Sequence, residues 1–134
     1  MMTSDKNLKK EMMESRKWVV VGVSGKKEKY GYKIWKILRD KGYTTYGVSP
    51  NYSELEGEKI YESIGSLPEK VDVLDMVVPP KVSIKVLEEA KEAGIEMIFF
   101  QPGTYDDEVV AKAEDLNLRY LLDDCVYATL KAEK

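Results

Sequence analysis

The sequence predicts a Rossmann-like α/β fold: a doubly wound parallel sheet of about five strands, with helices on both faces. Three observations predict it. Short apolar runs of strand length alternate with segments whose apolar residues recur at three and four. Glycine or proline punctuates most of the junctions. Right-handed crossovers between successive parallel strands then leave a doubly wound sheet as the natural topology.

Each element follows in order. Leu8, Met12 and Met13 stand among charges at helical spacing, so residues 5–16 read as a short amphipathic helix. Trp18–Val23 is β-rich and reads as a buried strand. Gly31, Ile34, Ile37 and Leu38 form the stripe of the next helix, which Gly42 ends. Thr44–Val48 is a second strand, and polar residues 49–60 read as a loop. The segment "SIGSLPEK" reads as a short helical turn or loop. Val73–Val78 is a third strand, stopped by Pro79 and Pro80. Ser83–Ala93 is helical, with Val82, Val86, Leu87 and Ala90 on one side and Gly94 as its end. Met97–Phe100 is a fourth strand. Asp106, Asp107 and Glu108 put acid where a helix dipole favours it, ahead of a stripe of Val109, Val110, Ala113 and Leu116. Leu118–Leu122 is a fifth strand, and the tail 131–134 is expected to fray. No repeat, linker or low-complexity tract divides the chain, so residues 1–134 are expected to form one domain.

Composition narrows the function. The 134 residues are 43% apolar and 34% charged, the balance of a globular domain. No apolar run reaches the length of a membrane helix, and the charged N-terminus lacks a signal-peptide core, so a cytoplasmic location with no membrane partner is expected. A net charge of −3 and a pI near 5.2 argue against a nucleic-acid partner. The chain has no histidine, which removes imidazole acid–base chemistry, phosphohistidine relays and the usual Cys/His zinc sites. Oligomeric state and protein partners stay open.

In a doubly wound sheet, ligands bind beyond the carboxyl ends of the strands. Five short segments should meet at that rim: Gly22–Lys27, Ser49–Asn51, Pro79–Lys81, Gln101–Thr104 and Asp123–Cys125. The first suits an anion. Gly22 and Gly25 permit positive φ and close backbone approach, a helix N-terminus follows, and Lys26, Lys27 and Lys29 add charge. The glycine spacing (Gly22, Gly25, Gly31) departs from the dinucleotide fingerprint, and no acid stands after the second strand until Glu54, which disfavours NAD. A P-loop fails because Tyr32 occupies the lysine position. A phosphoacceptor site fails because Ser24 and Pro79 stand where acids are needed. The lysines suit a guest with more than a pyrophosphate, and the prolines offer an apolar wall.

The ordered set "VVGVS…KYGYKI", "YGVSPN", "LPEKVDVLDMVVPP", "GIEMIFFQPG" and "DDC" resembles the small CoA-binding proteins of the succinyl-CoA synthetase α-subunit type, from about Trp18 to Cys125. The resemblance implies a CoA or acyl-CoA ligand. It implies that Gly22, Ser24, Gly25, Lys26, Lys29, Tyr30 and Gly31 surround the phosphates. Ser49, Pro50 and Asn51 would lie near the adenine nucleotide. Val78, Pro79 and Pro80 would pack on the apolar side, and Gln101, Pro102 and Gly103 would close the rim toward the pantetheine arm. Two positions depart from the pattern: Ser49 where relatives often carry Asn, and Phe99–Phe100 where they often carry Trp. The synthetase's catalytic domain and phosphohistidine have no counterpart, so binding without catalysis is expected. The alternatives are an NAD(P)- or other nucleotide-dependent Rossmann enzyme, or an interaction module without ligand.

Other chemistry-bearing residues have plainer readings. Cys125 follows two acids that disfavour a further negative charge, so it reads as a packed cysteine, with a mixed disulfide to CoA left open. Asp123 and Asp124 read as caps or turn residues, and Trp35 as core or partner-facing. Tyr30 and Tyr32 are the tyrosines expected near the site.

Overall fold

The computed structural model describes residues 5–132. Its elements are α1 (Asp5–Glu14), β1 (Lys17–Val21), α2 (Tyr30–Asp40), β2 (Thr44–Val48), β3 (Glu54–Leu55), β4 (Glu58–Tyr61), β5 (Val73–Met76), α3 (Pro80–Glu92), β6 (Met97–Phe100), α4 (Asp107–Asp115), β7 (Arg119–Leu121) and α5 (Val126–Lys131). A 3-10 turn at Ile64–Ser66 supplies the expected helical turn.

The sheet order is β3-β4-β2-β1-β5-β6-β7. All pairs are parallel except β3 with β4. After β1 the chain adds β2 and β4 on one side, then crosses to β5 on the other. The reversal in strand order therefore lies between β1 and β5, and a crevice opens there at the carboxyl ends.

Strand periodicity divides the core into two layers. Val19, Val21, Leu74, Met76, Ile98 and Phe100 face α3 and α4, meeting Val86, Leu87, Ala90, Val109 and Ala113. Trp18, Val20, Val73 and Phe99 face the other way, against Leu8 and Met12 of α1, Ile34, Trp35 and Leu38 of α2, and Val126 and Leu130 of α5. Burying each large side chain contributes roughly 1.5–3 kcal/mol. Trp35 is core. Among the described residues, no helix is long and apolar enough to cross a membrane.

Two elements differ from expectation. Residues 49–60, expected to be a loop, fold back as the β3–β4 hairpin, so the sheet has seven strands rather than five. Glu56 and Gly57 both have positive φ, the geometry of a two-residue hairpin turn. Glu-Gly is a weak form of the Asn-Gly signal, and the flanking strands are too polar to announce themselves. The other is α5, where Val126 and Leu130, four residues apart, are fully buried. Of the tail expected to fray, Lys131 closes α5, and residues 133–134 lie outside the described residues.

Helix starts follow local chemistry. Pro79 and Pro80 end β5 and also begin α3, three residues earlier than the pattern predicts, because proline suits the first helical position. Asp106 caps α4, its carboxylate accepting from the Val109 N–H at 2.9 Å. Asp106→Ala should cost about 1 kcal/mol in urea unfolding.

Candidate functional site

The turn after β1 is held by contacts that leave no room for side chains. Gly22 takes φ +106°, and a Cβ there would lie 2.9 Å from Val78 Cγ1. At Gly31, in the first turn of α2, a Cβ would lie 2.2 Å from the Gly22 carbonyl oxygen and 3.3 Å from the Ser24 nitrogen. Helix α2 therefore abuts the turn backbone to backbone. The positive φ expected at both Gly22 and Gly25 is found at Gly22 only. Gly25 makes room instead for the Tyr52 ring, 3.1 Å from where its Cβ would be.

Charge collects at this turn. Helix α2 begins at Lys29 without a side-chain cap and has no acid in its first turn. Its N-terminal N–H groups and dipole thus lack the usual carboxylate or hydroxyl partner. Lys26, Lys27 and Lys29 are exposed, with Glu28 the acid between them. Ser24 Oγ accepts from the Lys26 N–H at 3.1 Å, which curls the turn. Tyr52 registers the result. Hydrogen bonding from the Ser24 side chain and the Gly25 backbone, then the charge of Lys26, holds its phenol below the ordinary tyrosine value. Groups that favour negative charge on the Tyr52 oxygen are of the kind that would favour a phosphate.

Beyond β1, β5 and β6 lies a cavity of about 450 Å³, lined by Tyr30, Val77–Pro79, Gln101–Thr104 and Cys125. Four of the five predicted segments supply a residue or border it. Ser49–Asn51 lies instead on the β2 side of the turn, where Ser49 Oγ accepts from the Asn51 N–H at 3.1 Å. It adjoins the turn through Val48, whose carbonyl accepts from the Gly22 and Val23 N–H groups at 2.9 and 3.3 Å. Pro80 lines a separate depression with Lys81, Ile84, Asp106 and Glu108.

A buried polar chain ties the cavity walls together. Gln101 Nε2 donates to Asp75 Oδ1 at 2.6 Å. The Gln101 carbonyl accepts from Thr104 Oγ1 at 2.7 Å. Ser83 Oγ reaches the Thr104 carbonyl at 2.7 Å and the Val78 carbonyl at 3.2 Å. Asp75, Ser83, Gln101 and Thr104 are all buried. Of these only Gln101 was legible as a site residue. The signal for Asp75 was an acid inside an apolar strand. Thr104 lay in the rim segment after the fourth strand but without a role, and Ser83 carried no signal.

The remaining rim residues are engaged structurally. Asp123 has φ +59° and accepts from the Tyr105 hydroxyl. Asp124 accepts from the Cys125 N–H at 2.8 Å and pairs with Lys9 at 2.9 Å. Asp123 thus has the turn role expected of it, while neither acid caps α5, which starts at Cys125 without a side-chain cap. Tyr30 is exposed and stacks edge-on with Tyr127, while Tyr32 donates to Glu56 at 2.5 Å, away from the cavity lining.

A doubly wound sheet with a glycine-rich turn and an uncapped helix at its switch point defines the Rossmann-like class of α/β domains. The chain belongs to the CoA binding domain family, whose model matches residues 16–131. It is 32% identical to the ADP-forming acetate–CoA ligase of Methanocaldococcus jannaschii over 80% of this chain, but that match spans 16% of the ligase. The corresponding share of an Archaeoglobus fulgidus ligase is 17%. The chain thus covers about a sixth of the length of these curated relatives. Two solved structures match over most of both chains. A conserved hypothetical protein from Pyrococcus furiosus is 42% identical, with a TM-score of 0.81, covering 85% of this chain and 98% of that one. A hypothetical protein from Pyrococcus horikoshii OT3 is 30% identical, with a TM-score of 0.88, covering 96% and 91%.

Proposed function

We propose that this chain holds CoA or an acyl-CoA at the β1/β5 crevice, as a single cytoplasmic binding unit without chemistry of its own. The observation that carries the reading is the uncapped start of α2, pressed against a turn that only glycine at positions 22 and 31 can form. Ser24, Gly25, Lys26 and Lys29 extend that anion cradle, and Tyr30 leads from it to the cavity. Val78 and Pro79 with Gln101, Pro102 and Gly103 offer a mostly apolar path for the pantetheine arm, with Pro80 behind them. Ser49, Pro50 and Asn51 flank the nucleotide. Tyr52 joins this set, because its ring covers Gly25.

The absence of histidine and the structural engagement of Asp123 and Asp124 support binding over catalysis. The lack of an acid directly after β2 supports CoA over NAD. A thermal-shift panel of CoA, acetyl-CoA, NAD and NADP tests the reading. At a hundredfold excess over its Kd, a ligand stabilises the fold by about 2.7 kcal/mol. CoA or acetyl-CoA should raise Tm and the nicotinamide dinucleotides should not. No shift with millimolar CoA sinks the proposal.

A further inference from the structure

Asp75 is the one buried acid among the described residues. It sits mid-strand in β5, between Val20 of β1 and Phe99 of β6. Among the described residues it has no salt-bridge partner. The titratable groups that line the same cavity as Gln101 are Cys125 and Tyr30. Among the described residues its side chain has a single hydrogen bond, the one from Gln101 Nε2, 26 residues further along the chain. Two buried oxygens are left without a donor, Asp75 Oδ2 and Gln101 Oε1. Both are acceptors if Asp75 is ionised, and buried acceptors without donors are costly.

One proton resolves both. We propose that Asp75 is a neutral carboxylic acid in the folded protein, donating from Oδ2 to Gln101 Oε1 and closing a reciprocal acid–amide pair that positions Gln101 in the cavity wall. A protonated carboxyl is donor and acceptor at once, which matches the acceptor and donor ends of a primary amide. Burial pushes the Asp75 carboxyl well above the ordinary carboxylate range, outweighing the opposing effect of the Gln101 bond. Asp75 is thus a positioning residue. The inference is independent of what fills the cavity.

The sign of its pH dependence is unusual for an aspartate. The folded state holds a proton that the unfolded chain releases above its ordinary carboxyl value. Stability from this group is therefore present at low pH and lost as pH rises toward the folded value. Asp75→Asn keeps an amide pair with Gln101 and needs no proton. The ratio of the variant's folding constant to that of the wild type should grow by up to about tenfold per pH unit across that window. The slope carries the test rather than the offset, because Asn adds a second N–H that the pair does not use.

The experiment is urea unfolding of both proteins from acid to neutral pH, with infrared spectra of the wild type at neutral pH. A widening gap in favour of Asp75→Asn, together with a protonated-carboxyl C=O band in the wild type, is the expected result. A pH-independent gap or no such band overturns the proposal. If Asp75→Asn does not fold, the infrared band alone decides.

Discussion

Gly31→Ala loses roughly 3 kcal/mol of stability, the upper end of what overpacking costs, and loses CoA binding with it. The added methyl would sit 2.2 Å from the Gly22 carbonyl oxygen. That atom is backbone, in a residue already at φ +106° and itself packed against Val78. No side-chain rotation relieves the clash, so either α2 or the turn must move. Alanine is otherwise the better helix residue by about 1 kcal/mol, so an exposed helical glycine would gain from the same change. Urea unfolding checks the stability and calorimetric titration with CoA checks the binding. A variant as stable as wild type would mean that the contact between turn and helix is not what the fold requires.

Gly25→Asp separates binding from folding. Gly25 is outside the left-handed region, so aspartate meets no backbone strain there. Its Cβ would meet the Tyr52 ring at 3.1 Å, so that half-buried ring must shift by a few tenths of an ångström. The fold should survive within about 1 kcal/mol. The carboxylate, however, adds a negative charge to the turn that carries Lys26 and Lys27, the turn proposed to hold the phosphates. CoA affinity should fall at least about a hundredfold, which cuts the stabilisation from about 2.7 to about 0.4 kcal/mol or less at the ligand concentration used above. Retained CoA stabilisation in this variant would place the phosphates somewhere other than this turn.

The sequence was most legible where strands are buried on both faces. In β1, β5 and β6 such burial leaves runs like Trp18–Val21 and Met97–Phe100 with little polar interruption. It was least legible at the edges. Half of the residues in strands β3 and β4 are charged, around a Glu-Gly turn, and α5 is only six residues long. The rim segments could be collected because a parallel sheet brings all carboxyl ends together, yet their mutual distances could not. The contact of Gly31 with Gly22 needs the angle at which α2 leaves the turn. The bond between Asp75 and Gln101 needs the register of β5 on β6, where Asp75 pairs with Phe99, two residues before Gln101. Tyr52 was missed because its place over Gly25 follows from a hairpin that had read as loop.

The measurement that bears most directly on CoA binding at this turn is an amide NMR titration of the ¹⁵N-labelled protein with CoA. The predicted result is saturable shifts at the backbone amides of Gly22, Ser24, Gly25 and Tyr30–Gly31, with smaller ones at Gln101 and Gly103. Unchanged spectra at millimolar CoA, or shifts confined to the opposite edge of the sheet, would contradict it.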